Sequence, residues 1–267
     1  MLLYPLRKLR PRTLIAIGVV LLMVAPAILT HYGRVVAHLS PRDRQIASES
    51  MWQPTASDVA HELATFRGGW STQMRSRVGE SITMETVIFA AWGVWREAGL
   101  MLVGMALFRL GLFNGTCSRR TYGMLVAAAV FVGIPVTLYG TWRDFASGWD
   151  FVYSFFYGMQ INYWASLPVA FGWVGAVMLA PRFAALAAAG RMAFSNYILQ
   201  TLICTLIFYG TGLGLMGNVE RTGQFAIVAG VCTLELALST WWLRRFRFGP
   251  LEWLWRSLTY WEIEPLR

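Results

Sequence analysis

Six apolar runs, at about 13 to 31, 86 to 112, 121 to 141, 151 to 180, 192 to 216 and 224 to 243, take up most of this 267-residue chain. Each is long enough to cross about 30 Å of hydrocarbon as a helix rising about 1.5 Å per residue. The sequence therefore predicts an all-α membrane protein: a polytopic bundle of about six transmembrane helices forming a single membrane domain. An extracytoplasmic segment with surface helices is expected over 32 to 83, and an interfacial tail over 244 to 267. Composition agrees, since 56% of the residues are hydrophobic and only 14% are charged, against about 25% charged in soluble domains.

The formal charge of +9 does not indicate a nucleic-acid partner, because Lys and Arg collect at the ends of apolar runs instead of forming a patch on a folded surface. The partner it implies is the lipid bilayer. With the N-terminus inside, the inner segments hold Arg7, Lys8, Arg10, Arg12, Arg109, Arg119, Arg120, Arg182, Arg191, Arg244, Arg245, Arg247, Arg256 and Arg267. The two short outer loops hold only Arg143 and Arg221, so the positive-inside rule puts both termini in the cytoplasm. The long outer segment is nearly balanced, with six arginines and five acidic residues. Arg7 to Arg12, the first apolar run and Ala25-Pro26-Ala27 imitate a cleaved signal peptide. The run continues through Ile28 and Leu29, so a retained first helix is expected.

The second span is irregular because Arg96 and Glu97 fall within it, each costing about 2.5–3.5 kcal/mol near mid-bilayer. Either the helix is long and tilted with both charges facing protein, or residues 81 to 95 lie at the surface and the span begins near Glu97. The fourth, holding Asn162 and Pro168, is expected to kink or tilt. Cys117, Cys204 and Cys232 have neither CxxC nor Cys/His spacing, so neither a disulfide framework nor a metal site is expected. No cofactor motif is evident.

Candidate polar sites are few. Asn196 and Gln200, four apart, share a helix face, as do Arg191 and Ser195; with Tyr197 and Arg96 they can serve as interhelical glue or line a polar cavity. Glu235 lies mid-span, where a carboxylate requires a partner such as Arg96, Asn196 or Gln200. Glu97, Glu235 and His61 are the weak candidates for catalytic base, although no second histidine follows His61 at HExxH spacing. The segment from Phe66 to Arg77, with Gln73 and Arg75, reads either as a surface helix or as an external anionic site. At the C-terminus, Arg247, Gly249, Pro250, Glu252, Trp253 and Arg256 mark an interfacial helix. Proline occupies its first position, an apolar face runs through Leu251, Leu254, Trp255 and Leu258, and Glu252 pairs with Arg256 four residues on.

Gly190-Arg-Met-Ala-Phe-Ser-Asn-Tyr-Ile-Leu-Gln200 and Arg244-Arg-Phe-Arg-Phe-Gly-Pro-Leu-Glu-Trp-Leu-Trp-Arg256 resemble the signatures of the YeiB-like family of bacterial inner-membrane proteins, whose C-terminal region is the domain of unknown function 418. Tyr4 to Leu9 and Gly104 to Arg109 extend the likeness to nearly the whole chain. The resemblance implies further upstream helices, with an Asp-containing Arg-Gly segment similar to that of membrane acyltransferases that move acetyl groups onto sugars. It makes this chain the C-terminal part of such a protein, partnered by those helices or by another membrane protein. The implied activity is acyl transfer to an envelope glycan or small metabolite; a transporter component and a structural subunit are the alternatives.

Overall fold

The computed structural model describes residues 3–181 and 183–266; Arg182 and Arg267, counted above among the inner cations, lie outside the described residues. A 3-10 turn over Tyr4–Lys8 leads into α1 (Pro11–Ala37), followed by α2 (Pro41–Met51), α3 (Ala56–Arg67) and α4 (Trp70–Thr83). A π-helical stretch, Met84–Gly93, joins α4 to α5 (Val94–Arg109). Two more such stretches follow: Ala129–Gly133 between α6 (Arg119–Ala128) and α7 (Ile134–Ala146), and Ser154–Gly158 between α8 (Phe151–Tyr153) and α9 (Met159–Leu179). The chain continues through α10 (Ala184–Arg191), α11 (Ala193–Phe208), α12 (Arg221–Leu243) and α13 (Pro250–Tyr260). Among the described residues there is no strand.

Among the described residues, four helices are long and apolar enough to cross a membrane: Pro11–Ala37, Trp70–Arg109, Arg119–Ala146 and Arg221–Leu243. A fifth exists if α10 and α11, bent by 82° at Met192, form one broken span. The expected run at 192 to 216 starts at this bend and is helical only to Phe208. Its helix α11 has 16 residues, about 24 Å at 1.5 Å per residue, which is short of the hydrocarbon thickness. The expected run at 151 to 180, outside these four, is helical to Leu179 and carries Gln160, Asn162 and Ser166; its α-helical pairing departs at Ser154–Gly158, upstream of Pro168. Large apolar side chains such as Phe131, Trp173 and Phe225 point outward, which suits surroundings of lipid.

The chain divides into two compact units, Met1–Thr55 with Gly79–Ala180, and Ala56–Val78 with Pro181–Arg267. In the first, small residues let helices meet backbone to backbone. A Cβ on Gly18 of α1 would lie 2.8 Å from the Gly99 carbonyl oxygen of α5, and the converse distance is also 2.8 Å. On α9, a Cβ on Gly175 would stand 2.6 Å from the Tyr122 carbonyl oxygen of α6. Leu14, Leu102 and Ala106 fill the seam between α1 and α5.

In the second unit, the corner between α3 and α4 grips the loop after α11. Gly210 N–H donates to the Phe66 carbonyl at 3.0 Å, an approach that requires glycine because a Cβ there would overlap the Arg67 carbonyl. Arg67 donates to the Met216 carbonyl at 2.9 and 2.6 Å and to Asn218 Oδ1 at 2.7 Å. The amide of Gln73, buried, donates to the Phe66 and Gly68 carbonyls at 2.9 and 2.7 Å. The Phe66 to Arg77 segment, one reading of which was an anionic site, thus spends Arg67 and Gln73 on backbone oxygens, and Arg75 donates to the Ser71 carbonyl.

Candidate functional site

A cavity of about 490 Å³ opens among the helices of the first unit. Its polar wall comes from Arg96 on α5, Thr137, Thr141 and Asp144 on α7, Ser154 in the third π-helical stretch, and Asn162 and Ser166 on α9. Arg96 Nη2 donates to Ser166 Oγ at 2.9 Å and Nη1 to the Tyr163 carbonyl at 3.2 Å, while its guanidinium carbon lies 4.1 Å from the Tyr163 ring centroid. Tyr163 is fixed in turn: its hydroxyl donates to the Leu22 carbonyl of α1 at 2.8 Å and Trp92 meets its ring edge-on at 5.0 Å. At another part of the wall Trp52 Nε1 donates to the Trp149 carbonyl at 3.0 Å.

Arg96 and Asp144, both lining this cavity, form no ion pair with each other. Arg96 spends these bonds on neutral oxygens, and has no carboxylate within ion-pair distance among the described residues. Asp144 Oδ1 and Ser154 Oγ are buried without a hydrogen-bond partner, a condition that costs free energy unless something else satisfies them. Gly158 makes room for Asp144, since a Cβ there would stand 2.5 Å from Oδ1. Two of the three π-helical stretches supply lining residues, Trp92 in the first and Ser154 and Gly158 in the third. Such stretches are frequent at functional sites. A guanidinium and a carboxylate lining one cavity can hold a polar substrate, polarise a carbonyl and accept a proton.

In the second unit the residues of the two signature blocks bind one another. Glu252 of α13 accepts from the N–H groups of Phe194 and Ser195 at 2.8 and 3.0 Å, and from Ser195 Oγ at 2.5 Å. These amides are orphan donors in the first turn of α11, and a carboxylate is favoured there by charge as well as by hydrogen bonding. Ser195 Oγ also accepts from the Leu251 N–H at 3.0 Å, and Arg191 Nη2 donates to the Arg247 carbonyl at 2.7 Å. Buried Asn196 donates to Ser239 Oγ of α12 at 2.9 Å and to the Ala189 carbonyl at 3.2 Å. Trp253 Nε1 donates to the Glu264 carbonyl at 2.7 Å, bringing the tail back onto α13. Gly249 is the N-cap and Pro250 the first residue of that helix.

The candidates named from sequence therefore disperse. Glu97 is exposed on α5 and His61 is exposed on α3. Glu235 is half-buried on α12 with Oε1 unbonded; of the partners expected for it, Arg96 is bonded to α9 and Asn196 to Ser239, and Gln200 is exposed like Tyr197. Arg191 and Ser195 do not form a helical pair because the chain turns at Met192 between them. Glu252 and Arg256 do not pair either. Glu252 takes three donors from α11, and Arg256 Nε meets Glu264 Oε1 at 3.1 Å. Asp144, Ser154 and Tyr163 escaped notice, although Thr137, Thr141 and Asp144 repeat at helical spacing, as do Asn162 and Ser166.

Comparison with known proteins gives no activity. The chain is 34% identical over 265 residues to the uncharacterized protein YeiB of Escherichia coli K12, covering 93% of this chain and 63% of YeiB. It is 51% identical over 79 residues to the uncharacterized protein YxaH of Bacillus subtilis 168, covering 30% of this chain and 20% of YxaH. An uncharacterized 39.9 kDa protein encoded in the amylase 3′ region of Bacillus acidopullulyticus is 35% identical over 71 residues, covering 27% of this chain and 20% of that one. The chain thus spans less than two thirds of the length of these relatives. No solved structure gives a significant match. Residues 107–262, more than half of the chain, match the family model described as protein of unknown function, DUF418, and the chain belongs to that family.

Proposed function

We propose that the chain is the membrane-embedded part of an acyltransferase-like protein of the bacterial cytoplasmic membrane, both termini inside, with an envelope glycan or a small metabolite as acceptor. The observation that carries this reading is the first-unit cavity, where Arg96 and Asp144 line one space. In the reaction the acceptor hydroxyl or amine gives its proton to the Asp144 carboxylate as its lone pair attacks the acyl carbonyl carbon. Negative charge gathers on the carbonyl oxygen beside the Arg96 guanidinium. Collapse of the adduct breaks the bond to the donor's leaving group, which takes the proton back from Asp144.

A second reading, passage of a polar solute, draws support from the two π-helical stretches that supply lining residues, where helical pairing is already irregular. The test is untargeted mass spectrometry of envelope glycans and metabolites in cells carrying the wild type, Asp144→Asn or Arg96→Ala, with membrane abundance measured in parallel. Loss of an acylated product at normal abundance is the expected result. An unchanged product pattern with altered solute uptake would establish the second reading instead, and a change in abundance alone would mark a structural subunit.

A further inference from the structure

A separate cavity of about 700 Å³ lies within the second unit, lined by Arg191, Arg247, Arg256, Phe248 and Trp255 among others. Each of its three guanidinium groups has a near neighbour. Arg191 Nη2 donates to the Arg247 carbonyl at 2.7 Å. Arg247 and Arg256 stand by the Phe248 ring, their guanidinium carbons 5.8 and 5.1 Å from its centroid. Arg256 is paired with Glu264 at 3.1 Å, but Arg191 and Arg247 have no carboxylate partner among the described residues.

The carboxylate in the wall does not neutralise them. Glu252 directs both oxygens onto Phe194 and Ser195 at the start of α11. The cavity thus has a net positive lining of exposed guanidinium groups, which suits bidentate contact with phosphate. Its rim is apolar and open: Trp255 and Tyr260 line the cavity and are also exposed, and Leu254 and Leu258 extend the same outward surface of α13. A small inorganic anion has no use for such a rim, whereas a phosphate carried on acyl chains needs it.

We propose that this cavity binds the phosphate headgroup of an anionic phospholipid, whose acyl chains run along the exposed apolar face of α13. The site lies wholly within the second unit and does not depend on the acyl-transfer reading of the first. Charge draws the headgroup in, and the aromatic rim separates a lipid from a soluble phosphate. Arginine clusters beside amphipathic helices attract anionic lipids; here the cavity selects one molecule in addition to that general attraction.

The test is native mass spectrometry of the full chain released from detergent with either dioleoyl phosphatidylglycerol or dioleoyl phosphatidylcholine. Wild-type protein is expected to retain one phosphatidylglycerol under activation that strips phosphatidylcholine. Arg247→Gln with Arg256→Gln should lower that retention about tenfold, the scale of a lost charge-assisted bond, while Arg247→Lys with Arg256→Lys should keep part of it. Equal retention of the two lipids by the wild type, which needs no variant to fold, would overturn the proposal. So would wild-type retention in a folded glutamine variant. Displacement of the lipid by millimolar inorganic phosphate would overturn the lipid assignment in favour of a soluble phosphate ligand.

Discussion

Replacing Glu252 with alanine removes an acceptor for three donors at once: the N–H groups of Phe194 and Ser195 and the Ser195 hydroxyl, at 2.8, 3.0 and 2.5 Å. Loss of a helix N-terminal acceptor costs about 0.5–2 kcal/mol, and a hydrogen bond to a charged group is worth about 1.5–3 kcal/mol. The carboxylate is only half-buried, so water replaces part of what is lost, and the sum is discounted to about 2–3 kcal/mol. For a chain of this size that is a fall in melting temperature of about 5–10 °C. Glu252→Gln keeps one neutral acceptor and should lose about 1 kcal/mol. Gly249→Ala probes the same contact from the other side, because the added Cβ would overlap Glu252 Oε2 although the backbone, at φ −65° and ψ 160°, accepts alanine. Gly249→Ala should therefore destabilise the wild type yet be nearly neutral beside Glu252→Ala, a coupling of about 1 kcal/mol. The assay is thermal unfolding in detergent, joined to amide exchange at Phe194 and Ser195. Melting within about 1 °C of the wild type, with exchange unchanged at both amides, would refute the assignment of Glu252 as the cap of α11.

Gly99→Leu should prevent α1 and α5 from meeting, since even a Cβ would lie 2.8 Å from the Gly18 carbonyl oxygen; size-exclusion chromatography of a fluorescent fusion should show aggregate. Gly99→Ala should remain folded with a loss of about 1–3 kcal/mol. Ser239→Ala takes from buried Asn196 one of its two partners and should cost about 1–2 kcal/mol. Adding Asn196→Ala should then cost less than it does alone, and melting curves of the four proteins decide this.

What could be read from sequence was what depends on neighbours along the chain. The runs around 13 to 31, 121 to 141 and 224 to 243 reappear as Pro11–Ala37, Arg119–Ala146 and Arg221–Leu243, because length and hydropathy are local quantities. The run near 192 to 216 begins where α11 begins but outlasts it, since α11 stops at Phe208, and nothing in Arg191-Met192-Ala193 announces the bend of 82° before it. That bend is held from elsewhere in the chain, by Glu252 on Ser195 and Arg247 on Arg191. Glu252 itself was read toward Arg256 four residues away, although three donors lay on another helix. Asp144 is not among the sequence candidates, since it directly follows Arg143 at the outer end of an apolar run. Its kinship with Thr137 and Thr141 is a helical spacing, and scanning the apolar runs for polar residues at that spacing would have found it.

The residues by which this chain is most readily recognised are therefore not those best placed for chemistry. Ser195, Asn196, Gly249 and Glu252 spend their hydrogen-bonding capacity or their missing side chains on joining α11 to α12 and α13, and a joint of that kind tolerates few substitutions whatever the protein does. The first-unit cavity has the opposite character, with a guanidinium on neutral oxygens and a carboxylate oxygen bonded to nothing. It also does not lie entirely within the family match: Asp144, Tyr163 and Ser166 fall inside residues 107–262, while Arg96 and Trp92 precede them. The likeness to YeiB, by contrast, runs over 265 residues. An activity centred on Arg96 then requires the α5 wall as well as the matched region, and variants of Arg96 and Asp144 should fail together if the two sides act on one substrate.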